Sequence, residues 1–215
     1  MRGLFITMEG LDGSGKSTQL ERLAEALGAR GLDVLVTREP GGTPLGEGVR
    51  DLLTSEVSNT IVPAAELCLI VGARAQHVAE RLRPALTSGK IVISDRYTDS
   101  TVAFQGYGRG LALGLIEKMN AAATGGLRPD LTLVLDLEPE QAQARMSPRP
   151  VGGLLGALDV EKLEFHVRVR QGYLDLAAAE ADRIRLIAAS GTADETHAAV
   201  MQVVLRLIEK VVSDQ

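Results

Sequence analysis

The chain is short of several things, and each shortage excludes something. One cysteine in 215 residues, Cys68, leaves no internal disulfide, and with no signal peptide at the start a reducing, cytoplasmic setting is expected. Cys68 lies in an apolar helical run, where packing is its expected role rather than reactivity. Excess positive charge is missing: 23 Lys and Arg stand against 28 Asp and Glu, a formal net charge of −5. That argues against a nucleic-acid polymer as partner, which normally meets a basic face, though it leaves room for a locally basic pocket holding small phosphates. No apolar stretch is long enough to span a bilayer, so no membrane partner is expected. The three histidines, His77, His166 and His197, lack metal-ligand spacing and read as structural or solvated. Neither an internal repeat nor a linker divides the chain, and residues 1–215 read as one domain around one continuous core. With 45% hydrophobic and 24% charged residues the composition is that of an ordinary soluble globular protein.

What is present is concentrated near the start. Gly10-Leu11-Asp12-Gly13-Ser14-Gly15-Lys16-Ser17 follows the apolar run Leu4-Phe5-Ile6-Thr7-Met8 and fits G-x-x-x-x-G-K-[ST], the P-loop, between an expected strand and an expected helix, and Thr18 is counted with the loop as a nucleotide-binding residue. Its glycines let the backbone curl so that successive N–H groups face phosphate oxygens, and the helix N-terminus adds a favourable dipole. Lys16 supplies a mobile charge for β- and γ-phosphates, and Ser17 offers a hydroxyl to a magnesium ion. The stretch reads as a cradle for a nucleoside triphosphate.

Beyond it, short apolar runs alternate with helical periodicity. Strands are expected at 4–9, Val34–Val36, Ile91–Ile93, Leu131–Leu135 and Ile184–Ile187. Between them lie a helix carrying Leu20, Leu23 and Leu27 and closed by Gly31, and a long helix over 64–86 with Leu67, Val71, Val78 and Leu82. A final helix lines up Val200, Val203, Val204, Leu207 and Val211 for packing on the sheet. Near-continuous apolar strands separated by helices predict an α/β fold with a parallel sheet covered on both faces. The segments 38–48 and Ser147–Leu158, rich in glycine and proline, are expected to be mobile.

Ligands of such sheets bind beyond the carboxyl ends of the strands, which singles out Arg38 and Glu39 after the second run and Asp95, Arg96 and Tyr97 after the third. An acid closing a strand one place from a P-loop serves to hold magnesium, which falls to Asp95. The planar fork of Arg96 suits bridging donor and acceptor phosphates. Arg74 interrupts the long helix, either snorkelling to solvent or reaching into a cleft. Asp12 stands among incoming phosphates, where a carboxylate needs a hydroxyl, a metal or a cation, making it a candidate contact for the acceptor's sugar or for magnesium.

Together these stretches resemble the bacterial thymidylate kinase family over nearly the whole chain. The resemblance is carried by Glu9–Gln19, Thr37-Arg38-Glu39-Pro40-Gly41-Gly42-Thr43, Arg74–Val78, Asp95-Arg96-Tyr97, Ser100 with Ala103–Gly106, and Glu164–Leu174. It implies a P-loop NTPase-type three-layer α/β/α sandwich with a five-stranded parallel sheet and a lid at about 146–160. It also implies magnesium-dependent transfer of the γ-phosphoryl of ATP to thymidine monophosphate (dTMP), and a homodimer. By the same resemblance Arg38 and Arg96 clamp the acceptor phosphate, Arg74 meets the thymine carbonyl edge, and Asp12 meets the 3′-hydroxyl. Phe104 packs on the sugar and helps exclude a 2′-hydroxyl, while Pro40, Ile70, Ser100, Thr101 and Gln105 line the same pocket. The loop lacks the basic residue some members carry between Asp12 and Gly15, which transfers the catalytic arginine to the lid. Arg149 is the expected residue and Arg145 the reserve.

Two departures stand out. Ile70 occupies the position where the family has a phenylalanine stacked on the base, a contact worth roughly 1–3 kcal/mol, or about one to two decades in dissociation constant. Val160 replaces the arginine that usually follows the acid at Asp159. The alternatives left by these departures are a kinase for another deoxynucleoside monophosphate or a nucleoside, and a weakly active nucleotide-binding paralogue.

Overall fold

The structure, a computed structural model, describes residues 3–146 and 163–213. The expected lid, with Arg149 and Val160, lies outside the described residues apart from Met146. The five apolar runs form five parallel strands: β1 Leu4–Gly10, β2 Val34–Arg38, β3 Ile91–Asp95, β4 Leu131–Asp136 and β5 Ile184–Ala188. Their order is β2-β3-β1-β4-β5. The chain goes to one side of β1 for β2 and β3 and to the other for β4 and β5, so the carboxyl end of β1 opens the crevice where crossovers diverge. Met8 is in register with Asp95 and Gly10 with Leu135, which brings the phosphate loop level with the acid that ends β3.

Nine α-helices are found among the described residues: α1 Lys16–Gly28, α2 Pro44–Thr54, α3 Pro63–His77, α4 Arg83–Thr87, α5 Thr98–Thr101, α6 Leu113–Thr124, α7 Pro139–Arg145, α8 Leu163–Ala179 and α9 Ala193–Ser213. Every residue of β1 is buried. Its side chains alternate: Leu4, Ile6 and Met8 join a cluster with Leu20, Leu23 and Leu27 of α1 and Val200 and Val204 of α9, whereas Phe5 packs with Val92, Val78, Leu82, Ala85 and Tyr97. Both faces are covered, and the stripe read on the final helix packs on the core as expected, with Val203, Leu207 and Val211 against the same cluster.

Two local readings are corrected and one is borne out. The long helix is not uniform: a π-helical turn over Val78–Leu82 separates α3 from α4, directly before Pro84. Proline has no N–H to donate to the preceding turn and its ring crowds that carbonyl, so the backbone widens there. Helix α1 runs to Gly28 and is closed by Gly31, as expected. Gly31, with φ +77, is the left-handed residue of the cap: its N–H donates to Gly28 and that of Leu32 to Leu27, which satisfies carbonyls of the last turn. Cys68 is exposed rather than packed, because α3 buries the face of Leu67, Ala73, Arg74 and His77. The segment after β2 is held by bonds: Thr43 caps α2 by accepting from the Gly46 N–H at 3.0 Å, with Pro44 in the first turn. Among the described residues no helix is long and apolar enough to cross a membrane.

Candidate active site

The loop between β1 and α1 is shaped by glycines at positive φ. Gly13, at φ +82, lies so close to α7 that a Cβ would sit 2.3 Å from the carbonyl oxygen of Ala142. Gly15, also left-handed, precedes α1, and no side chain caps that helix. Its first N–H groups therefore remain available to an anion. Lys16 folds back beneath the loop, donating to the carbonyls of Gly10 at 3.1 Å and Leu11 at 2.9 Å. Burial lowers its pKa, with nearby Arg96 adding to the effect against the pull of Asp12, Asp95 and Glu9. Ser17 and Thr18 are exposed on the first turn of α1, while the Ser14 hydroxyl is buried with no partner among the described residues.

Arg96 joins this loop to the pocket beside it. Among the described residues it is the one non-glycine at positive φ, +69, a conformation that persists where its surroundings over-determine it. Its N–H donates to Met8 and its carbonyl accepts from the Ser94 hydroxyl. From the side chain, Nη1 donates to the Gly10 carbonyl at 3.1 Å, Ser100 Oγ at 3.0 Å and the Tyr173 hydroxyl at 3.3 Å, and Nη2 donates to Asp12 Oδ1 at 2.7 Å. The guanidinium carbon lies 4.8 Å from the centre of the Phe104 ring. Burial alone would raise the pKa of Asp12, but Arg96 and Lys16 outweigh it and hold the carboxyl down at about 2.

Glu9, three residues before Asp12, sits behind the same arginine and is fully buried. It accepts from the Tyr97 N–H at 2.8 Å, the Tyr173 hydroxyl at 2.8 Å and the Ser100 hydroxyl. Burial, reinforced by the charge of Asp99, pushes its pKa up to about 7 against the pull of Arg96 and the two hydroxyls.

On the other side of Arg96 opens a cavity of about 230 Å³. Its walls include Asp12, Pro40, Ile70, Arg74, Arg96, Ser100, Thr101, Phe104 and Gln105, so most sequence-predicted acceptor residues meet there. Phe165 and Glu66 line it too. Arg74 does not snorkel. It is buried, donating from Nε to Glu39 at 2.7 Å, from Nη1 to Asn120 at 2.6 Å and from Nη2 to the Tyr97 carbonyl at 2.9 Å. One N–H on each terminal nitrogen is left over. Glu39 is shared with His77 Nδ1, whose Nε2 bonds Thr37, so His77 is structural. The buried hydroxyl of Thr101 lines the cavity with no partner among the described residues.

Three predicted residues stand apart from the cavity wall. Arg38 is not among the described residues lining it; half-exposed at the end of β2, it pairs with Glu47 at 2.8 Å. Asp95 ends β3 with a buried Oδ1 that has no hydrogen-bond partner among the described residues. The reserve arginine, Arg145, donates to the carbonyl of Ala189 at 2.9 Å, just past β5. No group of three or more His, Cys, Asp or Glu is placed to hold a metal among the described residues. An unpartnered carboxylate oxygen level with the phosphate loop, together with the Ser17 hydroxyl, is nevertheless a hard-oxygen donor set of the kind magnesium takes alongside phosphates.

Sequence reasoning assigned no role to Glu9, Glu39, Asn120, Glu66 or Tyr173. Glu9, a charged side chain in an otherwise near-apolar strand, and Glu39, just past the carboxyl end of β2, left a signal. The others are brought in by tertiary packing.

Comparison with known proteins gives concordant matches. The family model described as Thymidylate kinase matches residues 8–200. A thymidylate kinase of Solidesulfovibrio magneticus is 48% identical over 209 residues, covering 95% of this chain and 100% of that one. That of Cereibacter sphaeroides is 50% identical over 199 residues, covering 92% of each. The crystal structure of thymidylate kinase from Ehrlichia chaffeensis superimposes with a TM-score of 0.76 at 34% identity, covering 95% of this chain and 99% of that one.

Proposed function

The chain belongs to the thymidylate kinase family of nucleoside monophosphate kinases, and we propose that its cavity takes dTMP while the phosphates of ATP lie on the loop from Gly10 to Thr18. The observation that carries this reading is the position of Arg96. One guanidinium lines the acceptor cavity while bonded to Gly10 and Asp12 of the phosphate loop, so it faces both nucleotides at once.

Phosphoryl transfer asks the protein for alignment and charge neutralisation more than for covalent chemistry. Lys16 and Arg96 stabilise the moving phosphoryl group, and Arg38 orients the acceptor phosphate once released from Glu47. No general base is needed, since the acceptor phosphate is already an anion. Magnesium, when bound, neutralises charge on the donor phosphates; Ser17 and Asp95 would hold it. Asp12, already paired with Arg96, is left to the acceptor sugar or to an outer contact with the ion. Arg74 has two N–H groups left for the thymine carbonyl edge, and Thr101 a free hydroxyl. Phe104, under Arg96, packs on the sugar. Ile70 gives apolar contact to the base without a stack, which relaxes base choice.

A homodimer is supported by apolar side chains left exposed on and between packed helices: Leu52 of α2, Val57, Val62, and Leu113 and Leu115 of α6, with α3 against both helices. Sedimentation measures the dimer directly. For the activity, ADP release is followed with ATP, magnesium and either dTMP, dUMP or dCMP. Fast release with dTMP supports the reading; release independent of any acceptor would overturn it. A cytoplasmic setting accords with the lone, unpaired Cys68.

A further inference from the structure

Glu9 is a buried charge that the reaction above leaves without a task. It is not among the described residues lining the cavity, yet everything it touches ends on Arg96. Its Oε1 takes the N–H of Tyr97, one residue past the left-handed Arg96, and so pins the backbone where it is least relaxed. Its Oε2 takes the hydroxyls of Ser100, from α5, and Tyr173, from α8. Those hydroxyls are 2.9 Å from each other, and both accept from Arg96 Nη1.

The proton count at this junction is tight: Arg96 Nη1 has two N–H groups for three acceptors, the Gly10 carbonyl and the two hydroxyls. A guanidinium only donates and an ionised carboxylate only accepts, while each hydroxyl has one proton. With Glu9 ionised, the hydroxyl protons run toward the carboxylate, directly or one through the other hydroxyl, and lone pairs of both hydroxyls face the arginine. An amide in its place has one acceptor oxygen: set toward the two hydroxyls it turns its NH2 on the Tyr97 N–H, and set toward Tyr97 it turns its NH2 on both hydroxyls, so one of the two supports of Arg96 is lost. We propose that Glu9 is the positioning residue for Arg96, fixing the guanidinium through the hydroxyls of Ser100 and Tyr173 and through the Tyr97 backbone. The inference rests on the reading that Arg96 meets the moving phosphoryl group.

The test is a double-mutant cycle at pH 8 on the full chain, with ATP, magnesium and dTMP: wild type, Glu9→Gln, Arg96→Ala and the pair. Displacing an aligned group by a fraction of an ångström to an ångström costs up to about a hundredfold in rate. Glu9→Gln is expected to lower kcat about ten- to a hundredfold with KM for ATP unchanged, and to add nothing in the Arg96→Ala background. An unchanged kcat, or a pair whose loss is the product of the two single losses, would overturn the proposal. Should Glu9→Gln fail to melt cooperatively, Tyr173→Phe, which keeps the ring and removes one acceptor, enters the same cycle under the same two criteria, with a smaller expected loss. Full turnover in Arg96→Ala would remove the reading of Arg96 itself; a large loss there beside a silent Glu9→Gln would remove the positioning role alone.

Discussion

Two carboxylates three residues apart, Glu9 and Asp12, serve one guanidinium from opposite sides and titrate at opposite ends of the range. Asp12 touches Arg96 directly and lies 3.7 Å from Lys16, and those charges overcome its burial to leave the pKa at about 2. Glu9 reaches the same arginine through hydroxyls, feels the like charge of Asp99, and is left at about 7, chiefly by burial. A cation in contact outweighs loss of water; a cation one hydroxyl away does not. The loop side of the site is therefore charge-matched, and the core side is a dry network that keeps geometry at a cost in stability.

The most severe way to break the comparison is to remove what both sides share. Arg96→Ala, like Lys16→Ala, is expected to lower kcat by about three decades or more, by analogy with arginines that stabilise transferring phosphate in related loops. Initial rates of ADP formation measure it, with circular dichroism checking that the fold survives. Full activity in both variants would sink the assigned roles.

The next effect separates the two sides by pH. A buried acid whose folded pKa is raised binds its proton more tightly than the unfolded chain does, so its contribution to stability declines as pH rises from the ordinary 4.5 through about 7. Glu9→Gln is free of that decline. Relative to wild type its stability should improve by on the order of 3 kcal/mol between pH 4.5 and 8, read from urea midpoints at both ends. A constant difference across that window would mean that Glu9 titrates normally.

Asp12 should show the reverse slope and a smaller size. A depressed pKa contributes stability that is present above 3.8 and lost as pH falls toward 2. Replacing it with Asn should therefore cost on the order of 2 kcal/mol at pH 6 and very little at pH 2. Acid unfolding curves of wild type and variant would then converge; parallel curves would contradict the charge-matched description.

Smallest is a control outside both sides. Thr43→Ala removes the α2 cap and should cost about 1 kcal/mol at every pH, with turnover little changed. A pH-dependent loss would tie that turn to the Arg96 network after all.

The two sides also differ in how far the amino-acid order reveals them. The loop side is contiguous, and much of its work is done by backbone at residues 10–18, so spacing alone locates it. Asp95 and Arg96 follow from the rule that strands deliver ligands at their carboxyl ends, and the five strands were legible because every run is apolar. The core side is not contiguous. Ser100 lies 91 residues from Glu9 and Tyr173 lies 164 residues away, and nothing local in α8 points to β1. The exposed Cys68 shows the same limit on one helix, since α3 carries apolar residues on both faces and turns Arg74 and His77 inward. Gly31 closes α1 where a cap glycine is read, whereas Pro84 is visible in the sequence but the widened turn it causes lies over Val78–Leu82.

Strand order has a further consequence for when the site comes into being. The central strand pairs with no neighbour in sequence: Leu4 waits for Ile91, and Ile6 for Leu131. Gly13 in turn rests against Ala142. Emerging from the ribosome, residues 10–18 are synthesised before both flanks of β1 and completed late, because the second flank arrives only with residues 131–142. Contacts of such long sequence separation are slow to close. A stretch made well before its partners is thus among the last to become competent, and a vacant strand edge persists on the growing chain until β4 covers it.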